Sequence, residues 1–264
     1  MIRCSRCMPR TMRRPARSGA SRGWCAGLIV LLLALTTARP AAAACGLAGV
    51  SVSGSAEEVA EACDVLAEVT GYFRALGFSL EPEVTVVFAD RIEIELPAEP
   101  SGTEPSAAVR AQISGCYDFR QDRVCVVSGH RDLPHDRQPW GLDWSPPVAR
   151  SILTHELVHA AVSDILGPQT PDLGMVWHEF IAYAVQFHLM PPALRAEVLA
   201  RHPEATAFAA PERVNPMSYA LDPDAFAISA FLFAEEQGGG AFIRQLLTGS
   251  APFSTDEFQL LWTE

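Results

Sequence analysis

The run His155-Glu156-Leu157-Val158-His159 carries the residue types and the spacing for hydrolytic metal chemistry. Histidines at i and i+4 lie one above the other on a helix face, so both imidazoles can reach one metal ion. Glu156, stepped to the side, can reach a water on that metal and serve as general base. Zinc is the ion that this nitrogen and oxygen donor set suits, and a catalytic zinc site takes a third protein ligand. Glu179 is the expected third ligand. It is the only acidic residue in the apolar stretch 175–190, where a lone carboxylate is costly unless something positive compensates it. His178 is the competing candidate, but neighbours on a helix point about 100° apart and cannot both face the metal.

The elements that must position these residues are legible nearby. Ser145 as N-cap, Pro146 at the first helical position and Gly167-Pro168 at the far end predict one helix over 146–166. Val148, Ile152, His155, His159, Val162 and Leu166 recur along it at spacings of four and three, which puts both histidines in the buried stripe. A second buried helix is expected from Met175 to the residues before Pro191-Pro192.

In these residues the chain resembles the gluzincin zinc metallopeptidases, in which a HExxH helix is followed by a glutamate ligand on the next helix. Nineteen residues separate His159 from Glu179, a spacing similar to that of thermolysin-like enzymes. The resemblance covers roughly residues 145–190 and looks closest to small, divergent, exported members. It implies His155, His159 and Glu179 as ligands of Zn2+, Glu156 as base, and hydrolysis of a peptide bond in a peptide or protein substrate. It also implies an oxyanion-stabilising hydroxyl downstream. Tyr219 is the candidate by position, the other reading being a loop tyrosine with no catalytic part; Phe226 is the alternative counterpart, which has no hydroxyl. The chain departs from the thermolysin-like pattern at Tyr183, where those enzymes carry Asp. The other reading is a catalytically inactive, zinc-stabilised binding protein of the same fold.

Residues 1–23 contain seven arginines and no acid, an apolar run follows from Leu28 to Leu35, and small residues occupy 41–44. Residues 1–44 therefore read as a secretory signal peptide and 45–264 as one domain, periplasmic or secreted, with no stable membrane insertion after cleavage. Acylation of Cys45 as a lipoprotein is the lesser alternative. Cleavage leaves Cys45, Cys63, Cys116 and Cys125, an even number suited to an oxidising compartment. Cys45 with Cys63 would tether the mature terminus to the first helix, and Cys116 with Cys125 could clamp a hairpin. The whole chain has 20 basic and 31 acidic residues. Loss of eight arginines with the leader leaves a net charge of −19, which disfavours nucleic acid as a partner.

The rest predicts a zincin-like α+β domain with a small mixed sheet and a mostly helical C-terminal half. A Ser55/Glu58 capping box opens a helix to Gly77 whose inner face carries Val59, Cys63, Leu66, Phe73 and Leu76. A strand over 84–88 follows, then a loop over 97–106 and a hairpin over 108–128; the resemblance implies a sheet edge that accepts substrate as an added strand, and 113–116 or 123–127 is either that edge or simply sheet. The loop 130–144 either shapes the cleft or packs over the sheet. Helices near 192–201, 223–236, 239–248 and 255–262 complete the domain.

Overall fold

A computed structural model describes residues 3–8, 45–96, 109–129, 138–167 and 173–255. The expected loop over 97–106, all but the first residue of the helix near 255–262, Pro168 and the first part of the 130–144 loop lie outside those residues. The architecture is α+β. Strands β1 (Arg3–Met8), β2 (Val50–Ser53), β3 (Val84–Ala89), β4 (Arg91–Leu96), β5 (Val109–Ile113), β6 (Gly115–Asp118) and β7 (Arg123–Val127) form two sheets. Helix α1 (Ala56–Ala75) lies between β2 and β3. Helices α2 (Pro146–Leu166), α3 (Met175–Leu189), α4 (Pro192–Arg201), α5 (Pro216–Leu221), α6 (Pro223–Glu236) and α7 (Gly240–Leu247) make up the C-terminal half. Among the described residues no helix is long and apolar enough to cross a membrane.

The larger sheet runs β2-β3-β7-β6, with β2, β3 and β7 parallel and β6 antiparallel at the edge. Alternation along its strands explains its burial on both faces. Val52, Val86, Val124 and Val126 join Val65, Val69, Leu153 and Leu157 of α1 and α2 in the main core. Cys125, Val127 and Ala89 turn the other way and pack with Ile92 of β4. β4 is the middle strand of the second, antiparallel sheet, between β5 and β1. β1 falls within the expected leader.

The helices expected within the described residues are present, with instructive differences. In α1 the capping box forms, with Ser55 N–H donating to Glu58 Oε2 at 2.7 Å and Glu58 N–H to Ser55 Oγ at 3.3 Å. Its buried face centres on Ala62, Val65, Leu66, Val69 and Phe73, and Val59, Cys63 and Leu76 lie at the margin. Cys63 is there because its sulfur bonds Cys45. Ser145 occupies the N-cap of α2 but makes no capping bond. Pro146 and Pro147 hold the first two helical positions and offer no N–H, so most of what a cap would satisfy is missing. Gly167 ends the helix with φ +51°, a conformation that favours glycine.

Two expectations are corrected. Cys116 and Cys125 stand opposite each other in the β6/β7 ladder but are not joined; Cys125 is disulfide-bonded elsewhere, and a sulfur so engaged has no bond to give Cys116. Residues 123–127 are not an edge, since β7 lies between β3 and β6; the edge is β6, and Ile113 belongs to the second sheet. The described part of the 130–144 loop packs on both surfaces, with Trp140 and Leu142 among the helices and Trp144 over the sheet against Ala89, Cys125 and Val127. Trp140 and Leu142 are buried with Phe187, Val198 and Ile228, and Trp144 Nε1 donates to the Ser128 carbonyl at 3.1 Å. Trp140 takes φ +54°, held by its N–H on Asp224 Oδ2 (2.9 Å) and by its carbonyl 3.2 Å from His202 Nε2.

Candidate metal centre

α2 packs against the sheet on one side and α3 on the other, so the middle of α2 is buried all round. His155 and His159, one turn apart, face α3, and Glu179 enters from α3. His155 Nε2 and His159 Nε2 are 3.1 Å apart, and they lie 3.4 and 3.6 Å from Glu179 Oε2 and Oε1 respectively. Those three edges suit a tetrahedral zinc, whose bonds of about 2.0–2.1 Å place ligand atoms roughly 3.3 Å apart. Among the described residues this is the one group of three or more His, Cys, Asp or Glu side chains that could hold a metal ion. Burial pushes the Glu179 carboxyl up, but the two imidazoles beside it, His159 foremost, outweigh burial and hold the group well below the usual carboxylate range. His178 is outside the group, its ring centre 6.5 Å from that of His159.

Glu156 is 7% exposed and sits under the edge strand. A Cβ at Gly115 would lie 2.7 Å from Glu156 Oε1 and 2.7 Å from Ile152 Cγ2, closer than such atoms pack, so only glycine lets β6 run this near the carboxylate. Gly115→Ala is expected to cost about 1–3 kcal/mol through overpacking. Denaturant unfolding checks this, and an unchanged midpoint would show that β6 has room to move.

Four side chains surround the trio. Gln186 of α3 is fully buried, with Oε1 3.1 Å from His155 Nδ1. Tyr183 lays its ring against His155, centroids 4.3 Å apart. Tyr117 of β6 lies parallel to the His159 ring at 6.5 Å, and its hydroxyl donates to Asp122 Oδ1 at 2.9 Å. Tyr219 lies beside Tyr183, ring centroids 6.4 Å apart; burial first, then the charges of Glu179 and Glu156, push its pKa above the ordinary phenol range.

Tyr219 is therefore not in a loop. It is on α5, a single short helix opened by Pro216 and by Asn215, whose Oδ1 accepts from the N–H groups of Met217 (3.1 Å) and Ser218 (3.0 Å). Phe226, the alternative counterpart, is buried on α6 with its ring 5.4 Å from that of Tyr219. Gln186, Tyr117 and Gly115 are absent from the residues expected at the site. Gln186 alone had a sequence signal, since it lies seven residues beyond Glu179 and hence on the same face of α3.

The model of a family of unknown function, DUF6639, matches residues 50–256, and the chain belongs to that family. No curated protein and no solved structure matches the chain.

Proposed function

We propose that this DUF6639 chain is an exported zinc-dependent metallopeptidase with His155, His159 and Glu179 as ligands and Glu156 as general base. The observation that carries the reading is the convergence of two imidazole nitrogens and a carboxylate at 3.1–3.6 Å, next to a buried Glu156 that takes no part in the trio. Zinc bound there supplies Lewis acidity, which acidifies a water molecule and polarises a substrate carbonyl. Glu156 accepts the proton from that water and passes it to the leaving amine nitrogen. Tyr219 stays protonated because burial and two carboxylates disfavour its phenolate, so its O–H is available to donate to a developing oxyanion.

A polypeptide substrate is favoured by the surroundings. β6 is an antiparallel edge strand beside α2, able to accept a peptide as an added strand, an arrangement that agrees with a zincin-like fold. The exposed large hydrophobic side chains of the described residues are Phe119, Met175, Met217 and Leu221. Each lies within four residues of Tyr117, Glu179 or Tyr219, on the elements that carry the site. Export is supported by the Cys45–Cys63 disulfide and by the leader-like composition of residues 1–44. The expected result is one zinc per chain and cleavage within a peptide library that stops with a chelator and resumes on zinc addition. Metal analysis and a digest on one preparation check it. Absence of zinc would overturn the metal reading, and zinc without cleavage would leave the inactive binding protein.

A further inference from the structure

Gln186 joins two residues one turn apart on α2. Its Nε2 lies 3.0 Å from the Ser151 carbonyl oxygen and 2.9 Å from Ser151 Oγ, while its Oε1 lies 3.1 Å from His155 Nδ1. Which end of a side-chain amide is nitrogen follows from its neighbours. A backbone carbonyl only accepts, so the end facing Ser151 is the NH2 group. The end facing His155 is then the carbonyl oxygen, which also only accepts, so His155 Nδ1 carries the proton. A neutral imidazole protonated at Nδ1 has a bare lone pair at Nε2, the atom that faces His159 and Glu179.

We propose that Gln186, oriented by Ser151, is a positioning residue that locks His155 as its Nδ1–H tautomer and so presents Nε2 ready to bind metal. The assignment rests on the metal reading above for its purpose, though not for its geometry. Full burial of Gln186 (0% exposed) leaves water no access to compete for these bonds, and the amide orients the ring without adding a second carboxylate beside Glu179. The side chain also bonds α3 to α2, so the face that carries Glu179 is held in register with the one that carries both histidines.

The test is long-range 1H–15N NMR on metal-free full-length mature protein, at a pH where His155 is neutral, together with zinc affinity by chelator competition. The wild type is expected to show His155 as Nδ1–H. In Gln186→Leu, similar in size but without an acceptor, the ring is expected to shift toward Nε2–H and zinc affinity to fall by about 10–100-fold. Ser151→Ala keeps the carbonyl acceptor and is expected to keep the tautomer. A wild-type His155 protonated at Nε2 would overturn the proposal without any variant, as would equal zinc affinity in Gln186→Leu. A protein that binds no zinc while His155 remains Nδ1–H would support the lock and remove the metal reading it serves.

Discussion

Glu156→Gln is expected to lose peptide hydrolysis by about 10²–10⁴-fold, the range for removal of a general base, while the protein still takes up one zinc. The exchange is nearly isosteric, which matters because Gly115 leaves no spare room above the carboxylate. The amide fits the same space but cannot accept the proton. Metal uptake is unaffected because the converging trio is His155, His159 and Glu179. Steady-state hydrolysis beside metal analysis of the same sample checks both halves. Turnover that survived the substitution would remove Glu156 from the reaction.

Glu179→Ala has the second large effect, and it falls on the metal. It removes the only carboxylate of the trio, so the loss of zinc affinity should match or exceed the 10–100-fold typical of changes one shell further out. Thermal unfolding gives a simple readout. Zinc at about 100 times its Kd stabilises the wild type by about 2.7 kcal/mol, and at the same concentration the variant should gain almost nothing. His178→Ala, one residue away and outside the trio, should respond to zinc as the wild type does. An undiminished zinc response in Glu179→Ala would sink the assignment of the third ligand.

What could be read from the sequence was what local spacing encodes. His155, Glu156 and His159 share one turn of helix, and Glu179 stood out because a carboxylate in an apolar helix needs a partner. The long helices were legible from caps, prolines and period, and α2 and α3 have the expected limits. The helix that carries Tyr219 leaves no trace in the sequence because α5 has six residues, too few for a helical period to develop. Gln186 carries no charge and so raises no question among its apolar neighbours, although its amide oxygen lies 3.1 Å from His155 Nδ1. Gly115 was invisible for a different reason: its role depends on how closely β6 passes Glu156, a distance between elements 41 residues apart in number. The Cys116/Cys125 clamp failed similarly, because opposition in a ladder does not say which sulfur a cysteine takes.

Under the export proposed above, the Cys45–Cys63 bridge bears on the fate of the amino terminus. Acyl anchoring needs a thioether at the sulfur of Cys45, and that atom is already bonded to Cys63. One atom cannot serve both chemistries, so whichever reaction reaches Cys45 first commits the molecule either to a lipid tether or to free diffusion. With the bridge in place, a new terminus at residue 45 would be fastened to α1 by its first side chain, which leaves little loose chain for an aminopeptidase to grip.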